Sequence, residues 1–342
     1  MKVAMYYNNK DVRIEEMNIP EIGDDEILVK VMACGVCGSD VMEWYRIKKA
    51  PRVLGHEMAG DIVKVGSRVK KFKVGERVFV SHHVPCGKCK YCLRGQETLC
   101  DTLRSTNFYP GGFSQYLRVP SINVEKGTFK LPPNMTYHQA VFIEPLGCVV
   151  RGFNIAEFGK GESILIMGSG ITGLLHVKMA KAMGASTIMA TDINDYRLKK
   201  AEEFGADLAI KADDEKMEKK IRDANNGSLP DFISVCTGAP SAFSQAFKLI
   251  GRGGTILFFA PAKPGIEIGM PLFDMWHKGV TINSTYAASP HDLKKAIELI
   301  EKGKIKVDDM ITHRFGMEDA PRAFQMVAEA GESIKVIIEP WK

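Results

Sequence analysis

No apolar stretch in this 342-residue sequence approaches the roughly 20 residues that a membrane-spanning helix requires. The opening Met1-Lys2-Val3-Ala4-Met5 lacks an apolar leader and a small-residue cleavage site, so a secretory signal is not expected. A dense basic block is also missing. Lys and Arg number 46 against 41 Asp and Glu, a net charge of +5 spread over the chain. That balance gives no case for nucleic acid or an anionic membrane as a partner. Internal repeats and low-complexity segments are absent. What remains is 45% hydrophobic and 25% charged, which suits a globular protein with a sizeable core. The length predicts about two domains.

The eight cysteines say more. Cys86, Cys89, Cys92 and Cys100 fall within fifteen residues. Disulfide-dense chains are usually small and secreted, and this one is neither. Zinc takes four thiolates in a tetrahedron, and a short loop supplies them at little closure entropy. With all four positions filled by protein, the metal is structural. An iron–sulfur run would place its fourth cysteine after three residues, before a proline. Here the gap is seven and Asp101 follows, so zinc is the favoured reading, with an iron–sulfur cluster or disulfides as alternatives. Thiolate ligation also implies a reducing compartment, here the cytoplasm.

A second set is weaker on spacing alone. Cys37 and His56-Glu57 lie nineteen residues apart in Gly-bounded loops, and Glu144 comes much later. Catalytic zinc takes about three protein ligands and leaves one position open. Taken singly, a lone Cys reads as a buried hydrophobe and a His-Glu pair as ordinary polar surface.

Residues 1 to about 145 read as β-rich, with short strand-like runs at 26–31 and 77–80 punctuated by Gly and Pro. From 163 on, apolar runs at 163–167, 187–191, 232–236 and 255–259 alternate with helical patterns. Unbroken apolar strands between helices imply a parallel sheet covered on both faces. Gly168-Ser169-Gly170-Ile171-Thr172-Gly173 fits G-x-G-x-x-G, after a predicted strand and opening a predicted helix. In that context the glycines let backbone approach a pyrophosphate at a helix N-terminus. Asp192 ends the next strand nineteen residues on. A carboxylate there accepts from a ribose diol and repels a 2′-phosphate, so NAD is favoured over NADP. Arg197, five residues further, weakens the exclusion of NADP.

Together and in this order, these motifs resemble the zinc-dependent medium-chain alcohol dehydrogenases, in the sorbitol (polyol) and threonine dehydrogenase branch. The resemblance spans essentially the whole chain. It is carried by Cys37-Gly38-Ser39-Asp40, Gly55-His56-Glu57, Val74-Gly75-Glu76-Arg77-Val78, the four-cysteine lobe, Gly111 to Tyr116, Glu144-Pro145-Leu146 and the Gly168 to Gly173 loop. It implies an α/β protein with a GroES-like β-rich catalytic domain (1–146 and 286–342) and a Rossmann NAD-binding domain with a doubly wound parallel sheet (147–285). It implies two zinc ions per chain. Cys37, His56 and Glu57 would hold the catalytic one, with Glu144 reaching it directly or through water. Cys86, Cys89, Cys92 and Cys100 would hold the structural one. Gly168, Gly170, Thr172, Gly173, Asp192 and Arg197 would form the cofactor site.

The chemistry the resemblance implies is hydride transfer from a secondary alcohol of a polyol or sugar derivative to NAD, giving a ketone. Zinc would lower the pKa of the substrate hydroxyl. Ser39 matches the proton-relay hydroxyl, with a local turn role as the alternative. The histidine that usually continues the relay is missing, with Met42, Glu43 and Trp44 in its place. Asp40 either orients a metal ligand or caps the following turn. His82 and His83 read as surface or supporting histidines, Phe113 as core, and Cys148 as a buried small residue. Arg46, Lys48 and Lys49 read as a solvated basic turn. The expected partners are a small alcohol and further copies of the chain. A catalytically inactive nucleotide-binding relative of the same fold is the competing reading.

Overall fold

The computed structural model describes residues 1–342, which divide into two compact units, Met1–Gly147 with Ala287–Lys342, and Cys148–Tyr286. The helix Ile143–Ile155 carries the chain from the first to the second. No helix is long and apolar enough to cross a membrane.

The first unit is built on one long strand, Ile27–Val36, whose residues are almost all buried. Apolar residues run along it with little alternation because both of its faces are covered. One edge pairs antiparallel with Glu57–Val65. The other edge is shared: Tyr116–Val119 pairs with its first residues and Lys335–Glu339 with Cys34 to Val36. The strands Arg77–Val80 and Thr128–Lys130 extend the sheet on one side, and Ile311–Gly316 extends it beyond Lys335–Glu339. A smaller sheet places Lys2–Asn8 between Asp11–Glu16 and Arg52–Val53. Val29, Val31, Met58, Ile62, Phe113, Phe324 and Ile338 are among the buried residues of the core that joins them.

Residues 86–100 contain only short 3-10 turns, at Cys92–Arg94 and Glu97–Leu99. A loop of this kind has no apolar stripe to bury and needs another source of cohesion.

The second unit holds a six-stranded parallel sheet in the spatial order Leu208–Lys211, Thr187–Asp192, Ser163–Met167, Phe232–Val235, Thr255–Phe258, Thr281–Ser284. Numbered along the chain this is 3-2-1-4-5-6, the doubly wound order that binds dinucleotides where the order reverses. Two of these strands, Leu208–Lys211 and Thr281–Ser284, escaped the sequence reading. Both are four-residue edge strands without a continuous apolar run.

Candidate metal and cofactor sites

Cys37 follows the Ile27–Val36 strand and caps the short turn Gly38–Asp40. The Ser39 amide donates to the Cys37 sulfur at 3.4 Å, and the Cys37 amide donates to Asp40 Oδ2 at 3.1 Å. Asp40 is fully buried, and its other oxygen lies 3.4 Å from His56 Nδ1. Capping and orientation, set as alternatives from sequence, are therefore performed by one carboxylate. His56 immediately precedes the Glu57–Val65 strand, and Glu57 opens it.

Ligand atoms of Cys37, His56 and Glu57 all lie within 4.8 Å of one another. Glu144 does not join this set. Its carboxylate stands near enough to act on the charge of Lys335. Cys148 is also outside the set and is half-buried rather than buried.

Lys335 is the residue that sequence reasoning missed. Its ammonium lies 2.5 Å from Glu57 Oε2, and both side chains are buried. Space for this pair comes from Gly35, which faces Glu57 across the two strands. A Cβ at Gly35 would stand 2.3 Å from Glu57 Oε2 and 3.3 Å from Lys335 Nζ. Burial works against the Lys335 charge, but Glu57 and Cys37 outweigh it and raise its pKa. Glu57 Oε1 is buried with no partner. Burial likewise opposes a charged His56, yet Asp40 and the Cys37 sulfur raise its pKa well above the usual range. A pocket that draws a proton onto an imidazole by negative charge also draws a divalent cation. The donor set and the orphaned Glu57 oxygen fit zinc.

His82 is not a bystander. Its ring lies 4.9 Å from that of His56 and 3.8 Å from that of His83. Burial, followed by the positive charges around them, pushes both pKa values down, that of His83 to about 3. Phe113 is fully buried and packs edge-on against Phe324, a core residue as expected.

The four cysteines of the 86–100 loop also bring their sulfurs within 4.8 Å of one another. Cys86 and Cys92 are 3.9 Å apart and Cys89 and Cys92 3.5 Å, too long for disulfides. A tetrahedron with Zn–S of roughly 2.3 Å has edges of about 3.8 Å. The amides of Lys88 and Cys89 donate to Cys86 Sγ, and the Cys86 amide donates to Cys100 Sγ. These amides stabilise thiolates, as a metal site requires.

In the second unit, the helix Ile171–Met183 starts at Gly170. A Cβ at Gly173 would stand 1.9 Å from the Gly168 carbonyl oxygen, so the close packing of loop on helix requires glycine there. Asp192, at the end of its strand, is buried. Its oxygens accept from the Ser169 amide at 2.7 Å and the Asn194 amide at 2.9 Å. The carboxylate thus ties the Gly-rich loop to the next strand. The Thr172 carbonyl accepts from buried His176 Nδ1 at 2.8 Å. The Arg197 guanidinium approaches within 4.0 Å of the point where a Gly170 Cβ would stand, and its buried Nε has no partner.

Residues 23–133 match the alcohol dehydrogenase GroES-like domain, and residues 172–302 match the zinc-binding dehydrogenase family. A sorbitol dehydrogenase from Bacillus subtilis is 32% identical over 99% of this chain and 97% of its own. The chain belongs to the zinc-dependent medium-chain alcohol dehydrogenases. An L-threonine 3-dehydrogenase from Bacillus licheniformis is 33% identical, covering 95% of this chain and 94% of its own. Among solved structures, alcohol dehydrogenase TADH from Thermus sp. ATN1 superposes with a TM-score of 0.89 at 27% identity, with 99% of each chain covered. This medium-chain dehydrogenase is an oxidoreductase acting on CH–OH groups, with zinc and a nicotinamide cofactor.

Proposed function

We propose that this dehydrogenase oxidises a secondary hydroxyl of a polyol or sugar derivative to the ketone, with NAD as hydride acceptor. The observation that carries the reading is the convergence of Cys37, His56 and Glu57 within 4.8 Å, in a chain with a complete Gly168–Gly173 fingerprint and Asp192. Zinc held by Cys37, His56 and Glu57 would supply a Lewis acid for the alcohol oxygen, while NAD accepts the hydride.

The residues of the chain do the rest. Asp40 holds the His56 ring by its Nδ1 side, leaving the other nitrogen for the metal. Lys335 neutralises one oxygen of Glu57 and leaves the second for coordination. Glu144, whose charge acts on Lys335, would reach the metal directly or through water. Ser39 Oγ accepts from Arg46 Nη2 at 3.0 Å, so its own hydrogen is free to be donated. A proton leaving the substrate would pass through that hydroxyl and then to water. In the cofactor site, the Ser169 and Gly170 backbone would face the pyrophosphate, and Asp192 would favour a ribose diol over a 2′-phosphate. Cys86, Cys89, Cys92 and Cys100 would hold a structural zinc.

An assembly of identical chains is supported by Leu272, Phe273 and Trp276, which are 68%, 70% and 75% exposed. The exposed edge strand Thr281–Ser284 adds unpaired backbone groups. Thiolate ligation by Cys86, Cys89, Cys92 and Cys100 would favour a reducing compartment, the cytoplasm.

The test combines zinc content per chain with NADH formation across a polyol panel. Two zinc ions and turnover of a polyol support the reading. One zinc and no turnover would instead favour an inactive nucleotide-binding relative.

A further inference from the structure

Three cations gather beside the candidate catalytic metal ligands. Arg46 and Lys49 come from the helical turns Glu43–Arg46 and Ile47–Lys49, and Arg52 from the strand four residues before His56. Arg46 is 15% exposed at its side chain. It does not point into bulk water as a solvated turn would. Its Nε donates to the Ser39 carbonyl at 2.8 Å, and its Nη2 to Ser39 Oγ at 3.0 Å. Two of the cations also stand over the Tyr45 ring, Arg46 at 4.8 Å and Lys49 at 6.0 Å from its centre.

Their charges are not balanced locally. Asp40 serves His56 and Arg46 together, each at 3.4 Å. Glu43 is occupied by the Asn9 amide at 3.1 Å. Lys49 has no ion-pair partner, and the half-buried Arg52 side chain has neither an ion pair nor a hydrogen bond. A half-withdrawn guanidinium loses hydration without compensation, which is costly unless a ligand completes it. The field agrees. After burial, the largest influence on Arg52 is repulsion from Arg46, opposed by Tyr45 and Asp40.

We propose that the substrate carries an anionic group, a carboxylate or phosphate, received by Arg52 and Arg46 with Lys49 at the rim. This rests on the dehydrogenase reading and narrows it from neutral polyols to sugar acids or sugar phosphates. Arg52 supplies a planar fork matched to either oxyanion. Lys48, exposed and apart from these contacts, keeps its reading as a solvated residue.

The test uses zinc-replete protein with three ligands sharing one carbon chain: sorbitol, D-gluconate and sorbitol 6-phosphate. Binding is measured by calorimetry in the presence of NADH, and kcat/KM by NADH formation. The expected result is that one or both anions bind roughly tenfold or more tighter than sorbitol, through KM rather than kcat. The two anions separate carboxylate from phosphate. Added salt weakens the anions and leaves sorbitol unchanged. In Arg52→Gln the preference ratio falls toward one, and Arg52→Lys restores part of it. Equal or tighter binding of sorbitol, or no binding of either anion, overturns the proposal. Sorbitol oxidation without anion preference sinks this inference alone. Anion binding with no NADH from any ligand sinks the polyol and sugar reading of the proposed function instead.

Discussion

Replacing Lys335 with methionine removes the cation from a pair that has no access to water. The two side chains are 0% and 1% exposed, and the charged atoms are 2.5 Å apart. Methionine fills similar space but leaves Glu57 buried, charged and alone, since its Oε1 already lacks a partner. Breaking a buried pair from one side costs roughly 3–5 kcal/mol. At roughly 2–4 °C per kcal/mol for a unit of this size, the midpoint should fall by about 6–20 °C. The assay is thermal unfolding by circular dichroism at one scan rate, with chelator-treated and zinc-replete samples. Zinc gives Glu57 a second compensating charge, so the loss should shrink by more than half on zinc addition. The double variant Glu57→Gln/Lys335→Met should recover stability relative to Lys335→Met, because the orphan charge is gone. Unfolding of Lys335→Met within a degree of the parent without metal, or an unchanged loss on zinc addition, would refute a charge-compensating role for Lys335.

Other outcomes follow from features elsewhere in the chain. Cys89→Ser should cost one zinc per chain by metal analysis and expose residues 86–100 to protease, because structural zinc contributes on the order of 10 kcal/mol to such loops. Gly173→Ala should weaken NADH binding about tenfold or more by fluorescence titration, since forced overpacking costs ~1–3 kcal/mol and the Cβ would collide with the Gly168 carbonyl. Burial lowers His176 from 6.5 to about 4, so the unfolded chain takes up that proton first as pH falls. Stability is then lost between pH 6.5 and 4, by roughly 3 kcal/mol in all. His176→Leu should flatten urea-denaturation stability across that window.

Where the sequence was legible, the chemistry was local. The four cysteines sit within one loop, so their spacing favours a tetrahedral zinc over an iron–sulfur cluster or disulfides. The glycines at 168, 170 and 173 declare themselves through a turn between an apolar run and a helix. Edge strands were harder: Thr281–Ser284 is polar and mostly exposed, and its pairing comes from a neighbour rather than from its own pattern. Lys335 was invisible because its partner is 278 residues away and a lysine in a strand reads as surface. Arg46 was hidden differently: its partners Ser39 and Asp40 are only seven and six residues away, but a tight turn with no helical or strand period brings them together. Distant charge pairs leave no periodicity to read.

The strand Lys335–Glu339 has a consequence for biogenesis. It fills the edge of Ile27–Val36 along Cys34 to Val36 and brings the cation that Glu57 needs. On the ribosome it is made 278 residues after Glu57, a delay on the order of 15–55 s at ordinary elongation rates. The cysteine loop can take up its metal while synthesis continues, because its four ligands emerge together. The catalytic pocket must wait with an open sheet edge and a stranded carboxylate. Maturation would therefore be staged, and a ribosome that stalls late would leave a chain whose lobe could hold its metal while the candidate catalytic pocket is not yet built.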